Sequence, residues 1–276
     1  MNTSASPLQV AFVGGGNMAS ALIGGLLKAG HPAGAILVVE PFAEQAARLR
    51  EQFGVQVLAA AGAELARAAL VVWAVKPQLF GEAARPCAEQ VAGALQLSVM
   101  AGIRSDTIAR ATGSERVVRA MPNTPALVGR GMSGLFARPA VSAPERAQVD
   151  ALLAPTGERL WVAREQDLDA VTALSGSGPA YVFYFLEAMV QAGVEMGLAP
   201  EQARTLAAGT FAGATAQVQQ SSEALDLLRQ RVTSKGGTTY AAITSLEQQG
   251  VKAAFVKALH AAQQRAVALG DEFGAG

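Results

Sequence analysis

QVAFVGGGNMA, residues 9–19, is the stretch from which the fold follows. Val10, Phe12 and Val13 make its first half a short apolar strand. Gly14, Gly15, Gly16, Asn17, Met18 and Ala19 then fit G-x-G-x-x-A, and a helical pattern through Leu22, Leu26 and Leu27 follows. Gly14 permits the tight turn out of the strand. Gly16 lets a pyrophosphate lie against the backbone, and Ala19 lets the helix pack close to the strand. Strand, glycine turn and helix in this order predict a dinucleotide site, with Asn17 and Met18 among its contacts.

An acidic residue at the end of the next strand strengthens that reading. Glu40 there can accept hydrogen bonds from both adenosine ribose hydroxyls and would repel the 2′-phosphate of NADP. Alternatively, Glu40 simply faces water ahead of Pro41. No arginine follows immediately, and Arg48 lies well into the next helix. The expected cofactor is NADPH or NADH, with the carboxylate favouring good use of NADH.

Outward from this unit, short β-branched runs at residues 10–13, 36–39, 70–74, 97–100 and 117–119 alternate with alanine-rich helical patterns. Such alternation implies a parallel sheet covered on both faces. Beyond residue 165 strand signals largely vanish, and helical periodicity runs through residues 167–173, 180–196, 200–219, 223–231, 238–248 and 252–269. The fold class is therefore α/β: a Rossmann-type doubly wound parallel sheet over residues 1–164, followed by an all-α domain over residues 165–276. Pro179 and Pro200 stand where helix starts place proline. Residues 274–276 are expected to be loose.

Composition narrows the function classes. A chain of 276 residues has room for two domains and ample core. With 22 basic and 22 acidic side chains the formal net charge is zero, which argues against nucleic acid or an anionic membrane surface as main partner. The single Cys87 excludes a disulfide framework within the chain, and His31 and His260 lack metal-ligand spacing, so no metal is expected. The N-terminal MNTSASP has neither the charged nor the apolar region of a signal peptide, making the cytoplasm the default location. Residues 179–198 are apolar enough to raise the question of a membrane span. Glu187, Gln191 and Glu195 recur every four positions as one polar stripe, so the expectation is a helix buried on most sides, in a core and a subunit interface, rather than in lipid.

Four further stretches carry chemistry. VVWAVKPQ, residues 71–78, is a strand whose end places Val75, Lys76 and Pro77 at the ligand crevice of a parallel sheet, although Lys76 also reads as a solvated lysine. SVMAG, residues 98–102, ends another strand with Ala101 and Gly102, small enough for the nicotinamide end to pass closely. RAMPNTP, residues 119–125, ends a third, where Asn123 and Thr124 can hydrogen-bond a carboxamide or substrate, or form a structural turn. LSGSGPAY, residues 174–181, sets Ser177 and two glycines before a helix, for polar ligand groups or for close helix packing. Last, VTSKGGTT, residues 232–239, has two glycines among hydroxyls directly before a helical pattern, with no acid, histidine or cysteine. Backbone N–H groups and hydroxyls there can hold an anion.

In order and over nearly the full length, the motifs GGGNMA, AVKP, MPNTP, DAVTALSGSGPAY and VTSKGGTT resemble those of pyrroline-5-carboxylate reductase, the last two most specifically. The resemblance implies reduction of 1-pyrroline-5-carboxylate to L-proline by NAD(P)H, the final step of proline synthesis. It also implies a homodimer through interleaved C-terminal helices, dimers in the family often assembling into larger rings such as decamers. By resemblance Ser234, Gly237 and Thr238 take the substrate carboxylate, Thr239 holds a hydroxyl at the ring nitrogen, and Ser177 belongs to the substrate site. A protonated imine is already an electrophile, so the absence of histidine and carboxylate from these motifs fits hydride transfer. Many relatives lack Lys235, which is expected to be solvated. Two other readings remain: a two-domain β-hydroxyacid dehydrogenase using Lys235 as acid or base, and a nucleotide-binding redox sensor without turnover.

Overall fold

The computed structural model describes residues 8–274. The export and terminal-looseness expectations for residues 1–7 and 275–276 lie outside the described residues; Gly274 itself ends a helix. Contacts divide the chain into two compact units, one of residues 1–177 with 262–276 and one of residues 178–261.

Among the described residues the first unit holds one eight-stranded sheet. Its strands are β1 Val10–Val13, β2 Ile36–Val39, β3 Gln56–Leu58, β4 Leu70–Trp73, β5 Leu95–Ser98, β6 Val117–Met121, β7 Gly131–Ala137 and β8 Gly157–Trp161. They run in the order β3-β2-β1-β4-β5-β6-β7-β8. The order reverses beside β1, and this topological switch point is where open α/β sheets bind ligands. Neighbours pair in parallel except β6 and β7, which run antiparallel.

The two-residue period of the strands builds two cores, one on each face. Val10, Phe12, Val38, Leu70, Val72 and Leu97 bury against α1 Asn17–Lys28, α2 Ala43–Phe53 and α6 Ala143–Leu153. Ala11, Val13, Val71 and Trp73 face the other way, toward α3 Phe80–Ala84, α4 Ala88–Val91 and α5 Ser105–Thr112. This is the doubly covered sheet that the alternating pattern predicts. Three strands escape the pattern. β3 has three residues, β8 carries Glu158 and Arg159, and β7 contains Gly131 and Gly134. β5 also starts two residues earlier than the β-branched run suggests.

After α7 Asp167–Val171 a π-helical turn covers Thr172–Gly176. The second unit comprises α8 Gly178–Glu195, α9 Pro200–Gln220, α10 Leu225–Arg231, α11 Thr238–Gln248 and the first part of α12 Val251–Gly274. Helices α8 and α9 meet where Gly193 packs on Ala203, too close for a Cβ, which would lie 2.8 Å from the alanine methyl. Tyr181 and Phe185 of α8 stack edge-on against Phe255 of α12. The sequence expectation of a helix buried on most sides needs correcting for the single chain. Val182, Phe183, Tyr184, Met189 and Val194 of α8 are exposed, because one unit of five helical pieces lacks the surface to cover them. Among the described residues no helix is long and apolar enough to cross a membrane.

Candidate active site

The glycine turn joins β1 to α1 at the switch point. Gly14 donates its amide to the Val39 carbonyl at 2.9 Å and adopts φ +96°, where a Cβ would lie 2.7 Å from the Ala74 carbonyl oxygen. Both its backbone angle and its closeness to β4 therefore require glycine. Gly15, a free position in the motif, is just as constrained: a Cβ there would sit 2.4 Å from a methyl of buried Leu49. Gly16 differs. It has φ −69° and nothing within 4 Å of the site of a Cβ, and it caps α1 without a side-chain hydrogen bond. The first turn of α1 contains no acid. Its unpaired N–H groups and positive dipole end thus suit an anion laid against Gly16. Ala19 is fully buried and Met18 packs at the core edge, while Asn17 is exposed.

Glu40 is buried rather than solvated. One carboxylate oxygen accepts the Gly15 amide and the other the Phe42 amide, each at 2.9 Å. The residue read as a ribose acceptor therefore also holds the glycine turn, and only its remaining lone pairs are left for a ligand. Gln45 braces the same turn, donating to the Gly15 carbonyl at 2.6 Å. Sequence reasoning missed it, although a polar side chain in the first turn of α2 was the available signal.

The other strand ends lie in the same unit. Val75 is half-buried and Lys76 exposed, with Pro77 opening a short 3-10 turn. Ala101 and Gly102 follow β5; Gly102 has φ +76° and abuts Phe273, 3.0 Å from where its Cβ would be. Arg104 forms a bidentate pair with Asp169 at 3.0 and 2.9 Å, and Gly270 of α12 lies flat against its guanidinium. Nearby, Glu165 accepts from the amide and hydroxyl of Ser105 and from Arg119. Burial pushes the Arg119 guanidinium below its ordinary pKa, an effect that the charge and hydrogen bond of Glu165 oppose. These ion pairs tie the loop after β5 to α7, and β6 to the segment before α7. A lone arginine inside the apolar β6 was the sequence signal for this network.

Asn123 lies between β6 and β7, and both ends of its amide are engaged. Its oxygen accepts the Met132 amide at 2.9 Å and its nitrogen donates to the Ser175 carbonyl at 3.0 Å. Ser177 closes the π turn by donating its amide to the Thr172 carbonyl at 2.8 Å.

In the helical unit, residues 232–239 form the lead into α11. Thr233 donates its hydroxyl to the Arg229 carbonyl, ending α10. Gly236 takes φ +76°, and the Gly237 amide donates to the Ser234 carbonyl at 3.0 Å. Gly237 is the N-cap of α11 and carries no side-chain cap. Thr238 and Thr239 occupy the first turn, with Thr239 half-buried and Ser234 and Lys235 exposed. The loop thus offers helix-start amides flanked by three hydroxyls, a donor set for a carboxylate.

A doubly wound sheet with this glycine turn, followed by an all-α unit, defines a nicotinamide-dependent oxidoreductase. Residues 9–102 match a family model described as NADP oxidoreductase, coenzyme F420-dependent, and residues 165–269 match one described as pyrroline-5-carboxylate reductase dimerisation. A pyrroline-5-carboxylate reductase from Pseudomonas aeruginosa is 44% identical, the alignment covering 96% of this chain and 98% of that one. A solved pyrroline-5-carboxylate reductase from Coxiella burnetii superposes with a TM-score of 0.89 at 34% identity, over 96% of this chain and 99% of that one. A Plasmodium falciparum pyrroline carboxylate reductase with NADP bound gives 0.85 at 29% identity, over 95% and 98%. The chain belongs to the pyrroline-5-carboxylate reductase family. Its match to the dimerisation model also makes it a homo-oligomer-forming chain.

Proposed function

We propose that this protein reduces 1-pyrroline-5-carboxylate to L-proline with NADPH or NADH, the last step of proline biosynthesis. The observation that carries the reading is the head of α11, where Gly237 caps the helix without a side-chain hydrogen bond and Thr238 and Thr239 follow. The 44% identity to a reductase of that name supports the substrate. Residues 1–164 bind the nucleotide through Gly14, Gly16, Asn17, Met18, Ala19, Glu40, Val75, Lys76, Pro77, Ala101 and Gly102. Residues 165–276 form the substrate-binding and dimerisation domain.

Ser234, Gly237 and Thr238 hold the carboxylate of the cyclic imine, with Ser177 also at the substrate. Fixing that end leaves the C=N carbon as the one electrophilic position to be presented. NAD(P)H, when bound, supplies the hydride that adds to this carbon. The π electron pair of the protonated C=N bond then becomes the nitrogen lone pair, giving a secondary amine that takes a proton from solvent. Thr239 keeps a hydroxyl against the ring nitrogen through this change of charge. No strong acid is required, since the imine enters protonated.

The assembly is a homodimer whose cover for the exposed face of α8 is a second copy, and dimers join further into a ring such as a decamer. Neutral net charge supports a small-molecule substrate with neither nucleic acid nor an anionic membrane surface as partner. The test is to mix purified protein, NADH or NADPH and pyrroline-5-carboxylate, following loss of reduced-nicotinamide absorbance and formation of proline. Absence of oxidation with both nucleotides would overturn the assignment.

A further inference from the structure

Pro179 leaves a specific gap in the backbone bonding of the segment before α8. In helical register the Ser175 carbonyl would accept from the amide four residues later, but that residue is Pro179, which has no N–H. A five-residue π turn at Thr172–Gly176 occupies the same place, closed by Ser177 donating to Thr172. The freed Ser175 carbonyl accepts the side-chain amide of Asn123 at 3.0 Å. Asn123 is itself held from the other side, because its oxygen accepts the Met132 amide of β7 at 2.9 Å.

Two close contacts seat the turn on the same hairpin. A Cβ on Gly134 of β7 would lie 2.5 Å from a methyl of Val171, and one on Gly176 would lie 2.7 Å from the Met121 methyl of β6. The antiparallel β6–β7 pair thus forms a platform beside the turn, and Asn123, between the two strands, supplies a side-chain hydrogen bond to it. π turns shift everything after them by one residue and recur at functional sites. Here the residue directly after the turn is Ser177.

We propose that Asn123 is a positioning residue for the imine substrate, acting through the Ser175 carbonyl to fix the π turn and the placement of Ser177. This rests on the reductase reading above and refines the role of Asn123 from cofactor contact to support of the substrate segment. One donor and one acceptor of its amide are committed to the protein, so replacing Asn123 acts first on the turn and the hairpin. The replacement takes the side-chain donor away from the Ser175 carbonyl.

The test compares wild type with Asn123→Asp and Asn123→Ser. Aspartate keeps the acceptor for Met132 but sets a carboxylate against the Ser175 carbonyl, and serine is too short to reach it. Steady-state kinetics with pyrroline-5-carboxylate and fluorescence titration of NADPH are measured on each. Loss of one such hydrogen bond predicts a fall of about tenfold in kcat/KM for the imine in both variants. The NADPH Kd should stay within about twofold, a split that general loosening of the fold would not produce. If either variant fails to fold, the other carries the test. In Asn123→Ala, adding Pro179→Ala supplies a backbone N–H at that position and should recover part of the lost kcat/KM. Unchanged imine kinetics, or a NADPH Kd that rises as much as the imine parameters change, would overturn the proposal. Inactive wild-type protein would instead overturn the reductase reading itself.

Discussion

Gly14 and Gly16 stand two residues apart in one motif, yet the structure assigns them opposite consequences on substitution. Gly16→Ala meets no protein atom within 4 Å, and its φ of −69° is ordinary for alanine. Alanine is a poorer N-cap than glycine by about 0.7 kcal/mol, while its unfolded chain is less free by about 0.4–1 kcal/mol, so the two effects nearly cancel. At about 3 °C per kcal/mol for a chain of this size, Tm should move by no more than about 2 °C. The methyl does, however, project where a pyrophosphate would lie against the helix start. Overpacking of that kind costs about 1–3 kcal/mol, which is about 5- to 150-fold in the Kd of NADH or NADPH. Gly14→Ala behaves in reverse. A left-handed alanine costs about 1–2 kcal/mol, and the clash with the Ala74 carbonyl, backbone against backbone, adds about 1–3 kcal/mol. Tm should fall by about 6–15 °C even without nucleotide. Differential scanning fluorimetry with and without NADPH, together with nucleotide titration, separates the two. A Gly16→Ala protein that binds nucleotide within twofold of wild type would refute the placement of the phosphates on α1.

Three further outcomes are expected. Glu40→Ala strips the buried Gly15 amide of its acceptor, at about 1–3 kcal/mol, so KM should rise for NADH and NADPH together; a gain in NADPH use alone would show that the carboxylate acts as a phosphate filter instead. Thr239→Val should lower kcat/KM for the imine by about tenfold while Lys235→Ala, exposed in its loop, stays within about twofold, and the opposite ranking would favour acid-base chemistry at the lysine. Burial alone would raise the pKa of Glu145, but hydrogen bonds from the amide and hydroxyl of Ser142 and from Arg116 outweigh it and hold the group below its usual 4.5. Because the folded pKa is the depressed one, this carboxylate stabilises the fold above the unfolded pKa and loses that contribution as pH falls through the folded value. Melting curves of Glu145→Gln should therefore lie below wild type at neutral pH and converge with it on acidification.

The nucleotide half was legible because its chemistry is local. The strand, the turn and the start of α1 lie within a dozen neighbouring residues, and each small residue answers a steric demand that its sequence neighbours announce. The same holds for the loop at 232–239, where Gly237 and the threonines stand directly before the helix they open. What escaped were features set by distant partners. Gly15 looks free in the motif, and only the arrival of Leu49 from α2 makes its lack of a side chain necessary. β7 was missed because Gly131 and Gly134 weaken its strand character, and those same glycines are what let residues 126, 156 and 171 approach it.

Asn123 shows the limit most clearly. From sequence it could serve a ligand or a turn, and its neighbours Pro122 and Pro125 support either. The deciding fact is its donation to the carbonyl of Ser175, whose partner in α-helical register, Pro179, has no N–H. Both residues can be read in the chain, but their relation exists only once β6 and the π turn are side by side. The antiparallel turn from β6 to β7 is what puts them there, a reversal that strand-helix alternation gives no reason to expect. A substrate segment can therefore depend on an asparagine whose own stretch of sequence points toward the cofactor. Its effect on imine kinetics should consequently be separable from nucleotide affinity.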